Sequence, residues 1–427
     1  HGGHWRAADF HLADLAGLAS FVCFIFQQEN IRMKNILFIL LVLPLTLGAQ
    51  PELTESQAIA LVLKQHPAAK AAALRVQQQR VLQGAARTLE PAQIFHNISA
   101  DPDLGMFGST VLGVSQTLPV GRMVKATRQY YQQKEQQAGA LQTLTQQQLV
   151  LQVRDLYQHL SYLADKAVLY ERLDSIYSNF SSIAETRYRL NEAALTEKLA
   201  LQDKASQIRL MQETIGHEIA FDQVVLAQLL GLPEPVKAVA EPFQKIRFSL
   251  SDTSRIAQAA LALVSRSEIA LAQAQQGIEQ ARLRPSTSVG VLGQYLGNGA
   301  VYPGWQFSIQ LPIAQKGYRK TIEAAALQVQ VSQNEHENLL LEQRTTLAHL
   351  LHEQEKYEIL LRYYETQGRD LAAALFRSAV ANYRAGEMDY VALAQLLEQA
   401  IRIELEYLEN LHQLNRTTIE IWGITGV

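Results

Sequence analysis

Few residues of this 427-residue chain are spaced for chemistry. His349 and His352 stand one helical turn apart, where two imidazoles could share a metal ion. No third ligand accompanies them and no HEXXH pattern occurs, so the pair reads as two exposed helix histidines. Gly290, Gly293, Gly297 and Gly299 form a glycine run, but no Gly-Lys-Ser/Thr follows to make a phosphate loop. Asn97-Ile98-Ser99 fits a glycosylation acceptor, yet it falls inside an expected strand. The five methionines are too few for a soft-metal relay. The single cysteine, Cys23, excludes a disulfide scaffold, a thiolate zinc site and a CxxC redox centre. There is no nucleophile–base arrangement, so the expectation is a non-enzyme with no cofactor and no metal. A net charge of −3 leaves no basic stripe for nucleic acid.

The residues that do recur sit at turns and at element junctions. Tyr188-Arg189-Leu190-Asn191-Glu192 returns as Tyr383-Arg384-Ala385-Gly386-Glu387, 195 residues later. Asn191 and Gly386 are the residue types that accept the left-handed backbone of a tight interhelical turn. Leu118-Pro119-Val120 returns as Leu311-Pro312-Ile313 at an offset of 193, and Pro91 as Pro285 at 194. Three anchors at nearly one spacing define an internal duplication. The expected organisation is a first repeat over 50–230, a breaker-rich connector over 231–250 and a second repeat over 251–427. Each repeat reads as a helix, two strands and two long helices joined by a short turn.

Those strands, about 94–119 and 286–312, are the least charged parts of the chain. No Asp, Glu, Lys or Arg occurs from Leu104 to Gly121 or from Pro285 to Gln315. Trp305, Phe307, Ile309 and Leu311 alternate with Gln306, Ser308 and Gln310, so one face is apolar and the other polar. Such lengths suit tilted strands crossing a bilayer with Trp305, Phe307, Ile309 and Leu311 toward lipid. Gly105–Gly108 and Gly297-Asn298-Gly299 would close the hairpins. The competing reading is a soluble hairpin packed on a helix. Within hydrocarbon an open sheet edge is untenable, and four strands are too few to enclose a lumen, so a membrane version must oligomerise and share its pore.

The helices carry coiled-coil patterning. Leu149, Val153, Leu156, Leu160, Leu163, Ala167 and Tyr170 step by four and three. The matching stretch holds Leu347, Leu350, Tyr357, Leu361, Tyr364, Leu371 and Leu375, with Gln354 and Gly368 interrupting the register. A further helix carries Leu393, Leu396, Ala400, Ile403, Tyr407 and Leu414. One helix from Arg122 to Leu190 would be on the order of 100 Å long. Nine glutamines between Gln129 and Gln148 give it a wetted, uncharged face. On these patterns alone, a periplasmic coiled-coil scaffold without a pore stays open beside the channel.

Met33-Lys34-Asn35, the apolar run Ile36–Leu43 and Leu47-Gly48-Ala49 read as a signal peptide over 33–49. Residues 1–32 then read as an upstream reading frame or non-native extension, with Gln50 beginning the mature chain.

On the duplicated junctions Ser115-Gln116-Thr117-Leu118-Pro119-Val120-Gly121 and Ser308-Ile309-Gln310-Leu311-Pro312-Ile313, and on the two Tyr-Arg turns, the chain resembles the TolC family of outer-membrane efflux channels. The likeness extends to its heavy-metal, CzcC-like branch. It implies a mixed α/β membrane protein: a homotrimer whose 12-stranded β-barrel is continued by a periplasmic α-helical tunnel. It further implies a passive exit duct in the Gram-negative outer membrane, energised by an inner-membrane pump of the RND or another type. A periplasmic adaptor would dock on Arg189, Leu190 and Asn191 and on Ala385, Gly386 and Glu387. A duct for type I protein secretion is the alternative within the same family. Tyr188, Tyr383, Glu387 and Asp389 are the gate candidates. The family's paired gate aspartates are replaced here by Ala392 and Gln395, so Glu387 and Asp389 read either as an acidic ring or as solvated acids.

Overall fold

Helices run into strands at one end of the only four-stranded sheet among the described residues, and this continuity organises the chain. The computed structural model describes residues 52–101, 105–118, 121–239, 243–246, 253–296, 300–313 and 315–426. The expected signal peptide, the segment 1–32 and the Gly297-Asn298-Gly299 turn lie outside those residues.

A short strand β1 (Glu52–Leu53) precedes α1 (Glu55–Gln65) and α2 (Pro67–Leu82). Thr54 opens α1 with a capping box, accepting from the Gln57 amide at 3.3 Å while its own amide donates to the Gln57 side chain at 3.0 Å. Then come β2 (Gln93–Asp101), β3 (Gly105–Leu118), α3 (Gly121–Arg189) and α4 (Leu195–Leu230). After the short strand β4 (Lys237–Ala238) the plan repeats as α5 (Ala260–Arg282), β5 (Ser286–Tyr295), β6 (Val301–Gln310), α6 (Gln315–Tyr363), α7 (Arg369–Arg384) and α8 (Tyr390–Thr425). The sheet order is β2-β3-β5-β6, antiparallel throughout. The attached helices α2, α3, α5 and α6 pack side by side in the same order. In the sequence a proline stands at each of the four changes from helix to strand or back: Pro91, Pro119, Pro285 and Pro312. Proline disfavours helix in the residue before it and cannot donate, so it suits a boundary between the two backbone states.

α3 is 69 residues long, about 100 Å at the helical rise. Beyond the buried Ala126 and Ala138, its stripe of large buried side chains runs through Leu149, Val153, Tyr157, Leu160 and Leu163 and continues with Leu169, Leu173, Tyr177 and Phe180. Toward the interhelical turns these last four meet Leu201, Ala205 and Ile208 of α4, Ala379 and Tyr383 of α7, and Leu393 and Leu397 of α8. Knobs from four helices therefore fill one seam.

In the second repeat the long helix is interrupted by a π turn at Tyr364–Gly368 between α6 and α7, which accommodates one residue more than regular α-helix would. The π turn rotates the following helix relative to the expected register. Leu371, expected on the core stripe, is 43 % exposed, while Ala372 is fully buried. Gly368, read as an interruption, lies inside this turn against Tyr364 and Ile403, where a Cβ would come within 3.1 Å of the Tyr364 ring.

A short piece of the connector is pinned to the bundle. Asn415 is wholly buried; its Oδ1 accepts from the Ile246 amide at 2.8 Å. Its Nδ2 donates to Gln158 Oε1 at 3.0 Å and to the Gln244 carbonyl at 2.8 Å. A buried amide with these three bonds is itself satisfied and ties the strap to the bundle.

Candidate functional site

The sheet is two-faced, and its register shows how. Ile94, Val114, Val291 and Trp305 stand opposite one another across all four strands. Gln116, Val289 and Phe307 form a parallel row, as do Leu118, Thr287 and Ile309. Because side chains alternate, these rows share one face. It is almost wholly apolar and open: Trp305 is 88 % exposed, Phe307 69 % and Ile309 57 %. Leu311, just past β6, is exposed beside them. The opposite face carries the row Gln93, Ser115, Gly290 and Gln306, with Thr117, Ser288 and Ser308 beyond it. There the Phe95 ring lies over Gly113 and Leu292 lies against Gly304, each glycine leaving space that a Cβ would fill. Large side chains laid flat over glycines keep the polar face smooth. β2 and β6 are edge strands, each with one side unpaired within the chain.

The two interhelical turns share one geometry. Asn191 (φ 61°) is the one non-glycine with a positive φ among the described residues, and Gly386 (φ 77°) is its counterpart. The Asn191 amide donates to the Tyr188 carbonyl at 3.0 Å and the Glu192 amide to the Arg187 carbonyl at 2.8 Å. The Gly386 amide donates to Tyr383 at 3.1 Å and the Glu387 amide to Asn382 at 3.0 Å. This is the Schellman pattern, written twice.

Around the turns the candidate residues divide into tied and free. Arg189 pairs with Glu185 at 3.0 Å, and Lys198 reaches the same carboxylate at 2.6 Å while lying 5.0 Å over the Tyr188 ring. Hydrogen bonds from Lys198 and Arg189 hold the Glu185 carboxyl below the usual carboxylate range. Tyr383 is buried, and its hydroxyl donates to Glu197 Oε1 at 2.6 Å. Arg187 holds the same oxygen at 3.3 Å. Burial first, then the Glu197 bond, push the Tyr383 phenol far above its ordinary range. Thus α3, α4 and α7 are locked together just inside the turns. Leu190, Ala385 and the Glu387 side chain stand exposed. Asp389 caps α8, accepting from the Ala392 amide at 2.8 Å.

Midway along the bundle lies a cluster without a sequence signal. His159 Nδ1 is 2.6 Å from Asp222 Oδ2, and its ring lies 5.3 Å from that of His412. His412 stacks on Tyr162 at 4.5 Å, and the Tyr162 hydroxyl donates to Glu409 at 2.8 Å. His412 Nδ1 is buried with no hydrogen-bond partner among the described residues. These residues come from α3, α4 and α8, up to 247 positions apart in the Tyr162–Glu409 bond, so spacing could not reveal them. His349 and His352 stand exposed on α6.

A sheet with one apolar and one polar face, continued by a long helical bundle, defines the fold class. The fold is that of TolC-type outer-membrane channels. The outer membrane protein VceC from Vibrio cholerae superposes with a TM-score of 0.72 at 15% identity, covering 87% of this chain and 96% of that one. The Neisseria gonorrhoeae MtrE outer membrane channel, solved in its open state, gives 0.70 at 15% identity over 87% and 88% of the two chains. The Campylobacter jejuni CmeC outer membrane channel gives 0.69 at 11% identity over 87% and 85%. No protein-family model and no curated protein matches the sequence.

Proposed function

We propose that this chain is one subunit of a channel in the outer membrane of a Gram-negative bacterium, a passive duct from periplasm to exterior. The observation that carries the reading is the sheet: an exposed apolar face, a polar face and two unpaired edges. Strand directions alternate across it, so β6 of one copy can continue antiparallel into β2 of the next. Three copies then give a closed 12-stranded barrel with no edge exposed to lipid. The polar rows face the lumen and the Trp305 face meets hydrocarbon.

The helical bundle extends into the periplasm, where an adaptor docks on Arg189, Leu190, Asn191, Ala385, Gly386 and Glu387 and links the duct to an inner-membrane pump. The open side chains of Leu190 and Glu387, next to rigid Schellman turns, suit a preformed docking edge. Tyr188, Tyr383, Glu387 and Asp389 form the periplasmic mouth, with three-fold repetition making a ring of carboxylates that favours cations. Small molecules and metal ions are the cargo class that such a duct serves.

Purified protein in planar bilayers tests this reading. Wild type is expected to conduct with a cation preference. The double variant Glu387→Gln/Asp389→Ser should conduct with that preference clearly reduced, serine being chosen because it preserves the α8 cap. Absence of any conductance would contradict the channel. Unchanged ion preference would take the two acids out of the mouth.

A further inference from the structure

Where the sheet meets the helices, both repeats pass abruptly from a charge-free stretch into cations. Arg122 and Lys125 open α3, Lys316 and Arg319 open α6, and Arg282 and Arg284 lead into β5. All six are exposed. Arg282 pairs with Glu279 at 3.1 Å, whereas Arg122, Lys125, Arg284 and Lys316 form no ion pair among the described residues. Neither α3 nor α6 has an acid in its first turn. Cations at that end oppose the helix dipole, and here the same unfavourable placement occurs in both repeats. Two of the six cations, Arg282 and Arg284, border a cavity of about 470 Å³. They line it together with Leu118, Met123 and Tyr318, and Glu90 is its one acid. Leu118 belongs to the apolar face of the sheet.

We propose that this junction binds the phosphate of an anionic phospholipid headgroup on the helical side of the bilayer, with the acyl chains lying along the apolar face of the sheet. The inference rests on the membrane reading above. A phosphodiester offers oxygens that a guanidinium can hold in a forked pair, and it supplies negative charge to cations that form no ion pair among the described residues. Basic side chains next to an apolar surface are the composition that recognises anionic lipid. Leu118, Met123 and Tyr318 would have no part in holding a free phosphate ion.

The test uses the full chain purified in a neutral detergent and titrated in mixed micelles with phosphatidylglycerol, with phosphatidylcholine or with inorganic phosphate, reading the thermal midpoint. Phosphatidylglycerol should raise the midpoint and bind about tenfold more tightly than phosphatidylcholine, with no effect of inorganic phosphate at the same concentration. Arg284→Gln/Lys316→Gln should lose that preference. Arg284→Lys/Lys316→Arg should retain it, which separates loss of charge from loss of fold. Equal binding of the two lipids, an unchanged glutamine variant or an equal response to inorganic phosphate would overturn the proposal. A protein recovered from the outer membrane that shows no lipid preference would defeat this inference alone. A protein soluble without detergent would defeat the membrane reading with it.

Discussion

His412 sits where charge is unwelcome. Burial first, and the nearby His159 second, hold its pKa below the ordinary histidine value of 6.5. Arg416 of α8 adds to that effect, while Glu409 of α8 and Asp155 of α3 oppose it. Asp222 of α4 is engaged by His159. The folded chain thus takes up this proton less readily than the unfolded chain does. Stability is unaffected above the ordinary histidine pKa and falls as pH drops below it, until the folded pKa is passed. The thermal midpoint of wild type should therefore decline between about pH 7.5 and about pH 5.5, and His412→Phe, which keeps the ring stack on Tyr162, should decline less. Equal declines would contradict this assignment. Nothing in the sequence marks His412, because its partners lie on other helices. The turn residues Asn191 and Gly386 were legible, because a left-handed backbone is a local demand that few residue types meet. The Tyr383–Glu197 bond joins residues 186 apart and left no local trace.

At the scale of elements, the π turn explains why the coiled-coil pattern of α6 loses its register in α7, while the stripe Leu393, Ala400, Ile403 and Leu414 of α8 is buried as expected. Heptad stepping predicts burial as long as the helix keeps its count, and it places Leu347, Leu350, Leu361 and Tyr364 correctly. The π turn shifts the start of α7, so Leu371 points out and Ala372 takes the core position. Deleting Gln367, an exposed residue of the π turn, should restore ordinary helix and leave both flanks in register. The expected outcome is a thermal midpoint within a few degrees of wild type, a change of about 1 kcal/mol or less. Deleting Ala374 instead rotates the rest of α7 by about 100° and removes Ala379 and Tyr383 from the core, which should prevent stable folding. Equal tolerance of the two deletions would contradict the role given to the π turn. The strands were legible for a different reason. A stretch free of charge with strict alternation has few uses, and the register confirms one apolar face across all four strands.

At the scale of the whole molecule, the chain leaves two things unfinished. Its sheet has open edges at β2 and β6, and its apolar face is uncovered. Among the described residues no helix is long and apolar enough to cross a membrane. A flat, exposed apolar sheet in water is an aggregation hazard, and an open edge in lipid strands its backbone groups. Closure by copies of the same chain answers both, and single-chain patterning can demand that closure without fixing the copy number. The cargo of the proposed duct is not legible either, because a duct acts through its width and lining, not through a motif.

The most direct measurement is the mass of the protein as it leaves the membrane. The chain is expressed from Met33 in a Gram-negative host, the two membranes are separated, and the detergent extract is analysed by light scattering with the detergent contribution subtracted. The shared barrel predicts recovery in the outer-membrane fraction as an assembly of three chains. A monomer or dimer, or protein found soluble in the periplasm, would contradict it.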